Sequence, residues 1–260
     1  METGRKMPVI FTGHGSPMNA IDSNRARDGW RKMGESLGKP RVIIAVSAHW
    51  TTRCLCVRDS AENPQINDMS GFPPELYQIR YAPAGSPEYA RRALELLGSG
   101  TIPNNDWGID HGIWSVLCNM YPDADVPVVM VSTNLAADAR AQFEAGRRLA
   151  PLREEGALIL ASGNVVHNLR MVGWDMAGGY DWADRFDLRI RDAVLSGDFE
   201  TPVTYQALAD AQKAVPTPEH YFPLLTALGA ASSADRVTVW NEYRELGSMS
   251  MTSYLFEAQN

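Results

Sequence analysis

The sequence predicts a single α/β domain in which a largely buried sheet is flanked by helices on both faces. Three observations lead there: apolar runs of strand length rich in Val and Ile, segments of helical period between them, and a chain of 260 residues, 45% hydrophobic, large enough for one sizeable core. Residues 1–260 are read as one domain, without internal repeat, low-complexity tract or linker.

The elements follow in order. "PVIFTG" (8–13) and "RVIIAVSA" (41–48) read as strands, "SPEYARRALELLG" (86–98) as a helix and "VPVVMVS" (126–132) as the next strand. After it come the helical segment "AADARAQFEAGRRLAPLREEG" (136–156), the strand "GALILASG" (156–163), the helix "YDWADRFDLRIRDAVLSG" (180–197) and the strand "RVTVW" (236–240). The apolar runs are nearly continuous rather than alternating, as expected of strands buried on both faces. The longest irregular stretch, 58–87, is dense in Pro, Gly, Asn and Asp. A loop of that length in one domain is usually functional or disordered. Its aromatic residues Phe72, Tyr77 and Tyr81 argue for order, so it is expected to form a wall or lid of a pocket.

Lys and Arg number 24 against 31 Asp and Glu, a net charge of −7 with histidine neutral. An acidic chain without a basic block offers no electrostatic footprint for nucleic acid or an anionic membrane, which leaves a small molecule as the expected partner. Cys54 and Cys56 alternate along an expected strand rather than forming a C-x-x-C zinc motif; with Cys118 they read as buried or half-buried thiols of a reduced protein. The stretch "METGRKMPVIFTG" has a short apolar run and no secretory pattern, and nothing approaches the ~18 consecutive apolar residues of a membrane span. The expected compartment is the cytoplasm.

The chain has five histidines, each in a short punctuated segment. His14 sits between two glycines in "GHGSP" after the first strand, where the chain can turn tightly and approach a ligand closely. His49 ends the second strand in "VSAHW", and His167 follows "LILASG". Ligands of open α/β sheets bind outside the carboxyl ends of the strands, so these three can converge on one site there. Taken singly, each could instead be a histidine hydrogen-bonded to a neighbouring turn. His220 lies in "PTPEHYFPLL", where Thr217 as N-cap and Pro218 as first helical residue would place it in the first turn of a helix, as a site residue or an exposed one. His111, after Asp110, stands at another expected helix start; a helix N-terminus would keep its imidazole neutral, and capping or core packing is the competing role.

Neutral imidazoles are common ligands of zinc and iron, and catalytic centres use about three protein ligands with a position left open. Five histidines exceed that need, which suggests three or four on one metal and the remainder moving protons. The chain has no dinucleotide or phosphate-binding glycine motif, no G-x-S-x-G elbow and no H-E-x-x-H helix. Ser16 in "GHGSP" reads as a turn-stabilising hydroxyl rather than a nucleophile.

Eight ordered motifs, "GHGSPMNA", "VSAHWTT", "GFPPELY", "YAPAGSPEYA", "DWGIDHGIWSVL", "MYPDADVPVV", "ASGNVVHNLR" and "VPTPEHYFPLL", resemble the 4,5-DOPA extradiol dioxygenase family, within the class III extradiol ring-cleavage dioxygenases and the superfamily of the protocatechuate 4,5-dioxygenase catalytic subunit. The resemblance runs from about residue 8 to "LGSMSM" near 251. It implies a mixed central sheet with one divalent non-haem metal at the carboxyl edge of the strands. His14, His49 and His220 match metal-ligand positions. His167 matches a histidine described as acid/base or as a further ligand in zinc-bound members, and His111 one that contacts substrate or dioxygen. The implied reaction opens a catechol such as L-DOPA with O2 to a muconic semialdehyde, with Fe(II) expected for oxygenase activity and Zn(II) as bound or purified metal, in a monomer or small homo-oligomer. The alternatives are a zinc-dependent hydrolase or a catalytically silent binding protein on the same scaffold. One departure lies at "INDMSGFP", where Asn67 and Met69 stand in place of the family's His or Tyr and aromatic residue, a difference that bears on which catechol is taken.

Overall fold

The apolar runs near residues 9, 43, 129 and 159 pair side by side as the parallel centre of a mixed sheet. The computed structural model describes residues 6–259. Along the chain its strands are β1 (Val9–Gly13), β2 (Val42–Thr52), β3 (Cys56–Val57), β4 (Ile102–Pro103), β5 (Val128–Asn134), β6 (Ala157–Gly163), β7 (Arg236–Trp240), β8 (Arg244–Glu245), β9 (Met249–Ser250) and β10 (Ser253–Glu257). The helices are α1 (Arg25–Leu37), α2 (Pro87–Leu97), α3 (His111–Met120), α4 (Ala139–Leu149), α5 (Asp181–Leu195), α6 (Glu200–Val203), α7 (Ala211–Ala214) and α8 (Phe222–Ala230).

The main sheet has the order β4-β3-β5-β2-β6-β1-β10-β7. β5, β2, β6 and β1 are mutually parallel, whereas β10 and β7 close one edge in antiparallel pairing. The continuous apolar runs have a direct cause, since alternate residues of each central strand feed opposite cores. Val9, Phe11, Val42, Ile44 and Ile159 pack toward α2, α4, α5 and α8, with Phe186, Leu224 and Leu228. Ile10, Ile43, Ala45, Leu158 and Leu160 pack toward α1 and α3, with Trp30, Met33, Trp114 and Leu117. This bears out the α/β reading and the mixed sheet that the family resemblance implies.

Four details differ from the sequence expectation. β7 is a partly exposed edge strand rather than one buried on both faces, because only β10 pairs with it. β10 itself, "SYLFE", was not anticipated; its short run is buried between β1 and β7. β2 continues past residue 48 to Thr52, after a register shift against β5 between Val46 and Thr51. Cys54 lies before β3 rather than on a strand, since its carbonyl is taken by the Thr52 hydroxyl at 2.6 Å; its Sγ is 3.9 Å from that of Cys56, and both thiols are free. Among the described residues no helix is long and apolar enough to cross a membrane.

α8 is buried along its whole length, which fits its nearly unbroken apolar sequence FPLLTALGA. It crosses α4 at backbone contact: a Cβ on Gly146 would stand 2.0 Å from the carbonyl oxygen of Thr226, and one on Gly229 1.9 Å from that of Phe143. Neither helix can accept a side chain there. Gly229→Ala is expected to destabilise the protein by roughly 1–3 kcal/mol or more. A lowered urea midpoint checks this, and an unchanged midpoint would mean that the helices part without cost.

Candidate metal centre

The parallel centre of the sheet delivers its carboxyl ends to one edge, and all five histidines meet there. His14 follows β1. Its main-chain N–H donates to the Gly163 carbonyl at 3.1 Å, and its own carbonyl accepts from Asn19 Nδ2 at 3.0 Å. Gly15 turns the chain with φ of +57°, and a Cβ there would stand 2.5 Å from Met251 Sδ. The turn that the "GHGSP" segment suggests is thus real, and Ser16 caps the 3-10 turn Pro17–Ala20 by accepting from Met18 N at 3.2 Å.

The ring of His14 has one orientation and one tautomer. Its Nδ1 lies 3.0 Å from Ser162 Oγ, and that hydroxyl donates its single proton to the Gly112 carbonyl at 2.5 Å. Ser162 can therefore only accept from the ring, so Nδ1 carries the proton and Nε2 presents a lone pair to the site. His49 lies within the register shift of β2, where a bulge re-aims a side chain. Its main-chain N–H donates to Ser47 Oγ at 3.1 Å, and Ser47 donates to the buried Asp110 at 2.8 Å. The Nδ1 of His49 is 3.5 Å from Asp68 Oδ2, and its Nε2 is 3.1 Å from the Nε2 of His14.

His220 lies in the turn before α8, not in the first turn of a helix as the sequence suggests. Thr217 donates its hydroxyl to Glu219 at 2.7 Å instead of capping; the His220 carbonyl accepts from Asn164 N at 2.8 Å, and the N–H four residues on, at Leu224, goes to the Tyr221 carbonyl at 3.0 Å instead. The helix starts at Phe222, with Pro223 in its first turn. His220 Nδ1 is 3.4 Å from Glu219 Oε1, and its ring stacks on that of His167 with centroids 3.6 Å apart and planes 8° from parallel. His167 is anchored by its own N–H on the Ala214 carbonyl at 2.9 Å. His111 is the first residue of α3, with its ring centroid 4.0 Å from that of His49 and 5.6 Å from that of His14.

Among the described residues three sets of side chains could each hold a metal ion: His14, His49 and His220; His49, Asp68 and His111; His167, Glu219 and His220. Asp68 and Glu219 are the participants that sequence reasoning missed. Asp68 belongs to the irregular stretch 58–87, where no periodicity singles out one carboxylate. That stretch is held in part by Arg58, whose guanidinium donates to the carbonyls of Glu62, Asn105 and Trp107, and in part by main-chain pairing of Pro64 and Ile66 with Ile109. Met69 and Phe72 pack against the core beneath it, and Tyr81 is fully buried, so the third of its expected pocket aromatics is a core residue.

Burial dominates the electrostatics. It holds His14 well below its ordinary range, helped by repulsion from His49, His220 and the other two rings. The same two causes depress His49 to about 2 and His167 to about 3. Burial also lowers His220, against the opposing pull of Glu219. Burial alone would raise Asp68, but its hydrogen bonds from His111 outweigh this and bring it below the usual carboxylate value. Asp110 is pushed up to about 6 by burial and by the charge of Asp68. His14, His49, His167 and His220 are thus uncharged donors at neutral pH.

Fold and site together define an α/β protein with a histidine-rich centre, able to hold a metal, at the carboxyl edge of a mixed sheet. Residues 8–257 match the family of the catalytic LigB subunit of aromatic ring-opening dioxygenase, and the chain belongs to that family. It is 44% identical over 254 residues to a 4,5-DOPA dioxygenase extradiol of Escherichia coli (strain K12), covering 95% of this chain and 94% of that protein. A 4,5-DOPA dioxygenase extradiol of Beta vulgaris is 39% identical over 257 residues, covering 95% and 96%. The crystal structure of an uncharacterized protein from Escherichia coli K12 superposes with a TM-score of 0.84 at 40% identity, covering 96% of this chain and 99% of that one. The family resemblance carried by the eight sequence motifs is therefore borne out.

A pH dependence follows from the crowding. His14, His49, His167 and His220 all have pKa values below the ordinary 6.5, so the unfolded chain binds more protons than the folded one as pH falls below about 6.5. Their contribution to stability is present above that value and is lost progressively on acidification. Asp110, raised to about 6, acts in the opposite sense, as do Asp187 and Glu245, which burial raises elsewhere in the fold, but these three stand against four depressed imidazoles. Urea denaturation of metal-free protein at pH 7.5 and 5.5 should show lower stability at pH 5.5; equal stability would contradict the neutral cluster.

Proposed function

We propose that the protein is an extradiol dioxygenase that opens a catechol with O2 at one metal held by His14, His49 and His220. The observation that carries this reading is the pair of Nε2 atoms on His14 and His49, 3.1 Å apart. Ser162 commits His14 Nε2 to a lone pair, and the Asp68 carboxylate beside His49 Nδ1 favours a proton on that nitrogen, which leaves a second lone pair facing the first. A pair so arranged repels unless a proton or a cation is shared between the two nitrogens, and a metal ion satisfies both at once while each Nδ1 keeps its proton. Tetrahedral ligation at about 2.0–2.1 Å separates two nitrogens by roughly 3.3 Å, close to the spacing found. His220 completes a facing group of three and leaves open positions for substrate.

When bound, such a metal supplies a point where both catechol oxygens and O2 can be gathered and where a hydroxyl loses its proton near neutral pH. Fe(II) suits the oxygenase reaction; Zn(II) fits the same imidazoles more tightly but lacks an accessible redox change. His167 stands beside His220 outside the group of three, which supports its role as the base that takes a phenolic proton. The nearness of His111 to His49, with ring centroids 4.0 Å apart, supports its contact with substrate or dioxygen. In the overall reaction the ring C–C bond next to the diol breaks and both atoms of O2 enter the product, one as aldehyde and one as carboxylate oxygen. The electrons come from the ring carbons, so no outside reductant is consumed.

Anaerobic reconstitution with Fe(II) or Zn(II), followed by L-DOPA or another catechol in air, tests this. Oxygen uptake and the yellow semialdehyde absorbance are expected with iron and not with zinc, and silence of the iron-loaded protein across a catechol panel would overturn the reading. A second expectation concerns the ligands alone. Zn(II) at 100 times its Kd should stabilise the protein by about 2.7 kcal/mol. His14→Gln, His49→Gln and His220→Gln should each remove most of the corresponding rise in Tm, and Ser162→Ala should weaken metal affinity by about 10–100-fold.

A further inference from the structure

The geometry assigns Asp68 as the positioning residue that sets the tautomer of His111, an assignment whose catalytic consequence rests on the dioxygenase reading above. His111 opens α3, and its main-chain N–H is one of the donors that a helix start leaves without an internal partner. Asp68 accepts that N–H on Oδ1 at 2.9 Å and meets the ring Nδ1 with Oδ2, also at 2.9 Å. The side chain of Asp68 is only 8% exposed, so water does not substitute for either contact.

The donor roles leave one solution. A main-chain N–H can only donate, and both oxygens of a carboxylate can only accept. The Nδ1 of His111 must then carry a proton, and in the neutral ring Nε2 is left as an acceptor. His111 therefore enters the reaction able to receive a hydrogen bond or a proton from substrate, and it donates to oxygen only after that proton has arrived. The same Oδ2 lies 3.5 Å from His49 Nδ1, so the stronger claim on it is that of His111.

An amide at this position reverses the arrangement instead of merely weakening it. In Asp68→Asn the single amide oxygen must serve the main-chain N–H, which turns the NH2 toward the His111 ring. Nδ1 then has to accept, and the proton moves to Nε2. Shape and contacts persist while the ring nitrogens exchange roles.

Ring 15N spectra of the metal-free and Zn(II)-loaded protein at neutral pH test this, with His111 assigned by the signals lost in His111→Gln. Wild type is expected to show a protonated Nδ1 and an unprotonated Nε2 on His111, and Asp68→Asn the reverse. With iron, Asp68→Asn should lower kcat on a catechol by about 10²-fold or more with KM changed little. Asp68→Glu, which keeps two acceptor oxygens, should retain the wild-type tautomer and more of the activity. A proton on His111 Nε2 in wild type, or an unaltered tautomer in Asp68→Asn, would overturn the assignment. A tautomer change confined to His49 would overturn it too. The spectra require no turnover, so a wild-type protein that cleaves no catechol would count against the dioxygenase reading alone. If Asp68→Asn fails to fold, the wild-type spectrum decides by itself.

Discussion

The register of β6 between its two parallel neighbours is the constraint on which the rest of the structure depends. Ser162 is aligned with Thr12 of β1 on one side and with Ser47 of β2 on the other. A slip of one residue would turn every side chain of β6 to the opposite face. Ser162 would leave His14, the split between the two cores would invert on that strand, and Gly163 would no longer receive the His14 N–H. Each strand contributes a small hydroxyl residue at this level, and these hydroxyls continue the hydrogen bonding where the sheet ends. Trp30 donates to Thr12, Thr133 to the Ser47 carbonyl, and Ser162 to Gly112. The histidines thus stand on a layer of polar groups that are already hydrogen-bonded within the protein.

That layer also explains why so many imidazoles can be brought together. Rings with centroids 3.6–5.6 Å apart would repel one another if protonated, so burial and crowding act in the same direction. Carboxylates are confined to the margin: Asp68 toward His111 and His49, Glu219 toward His220 and Asp110 behind Ser47. Each fixes a ring or a main-chain group from outside, while the inner nitrogens face one another.

Much of this was legible in the sequence because it depends on local pattern. Strands buried on both faces leave unbroken Val/Ile runs, and residues that follow such runs fall at one edge by topology alone; His14, His49 and His167 could be grouped on that basis. His220 is different. "TPEHYFP" offers two prolines and therefore two helix starts, and the choice is made by Asn164, more than fifty residues earlier, whose N–H takes the His220 carbonyl. Asp68 shows a second kind of limit. Its role comes from where an irregular segment is pinned by Arg58 against distant carbonyls, and no spacing rule encodes that. The antiparallel edge was half legible: the run "RVTVW" marks β7 as a strand but not as an edge, and β10, with three apolar residues between Ser253 and Glu257, leaves too short an apolar run to be singled out.

The complete burial of α8 has a consequence for the lifetime of the site. His220 is joined directly to the most enclosed helix of the chain, and His14 and His49 to central strands; such elements open only when the whole domain does. Asp68 comes from the irregular stretch, which is tied down by main-chain pairing with Ile109, by Arg58 on the Asn105 and Trp107 carbonyls, by Asn63 on the Val128 carbonyl and by Leu76 and Tyr81 in the core. Both sides of the pocket are therefore fastened to the same buried core, and the histidine cluster should resist exchange with solvent as one unit rather than one wall at a time.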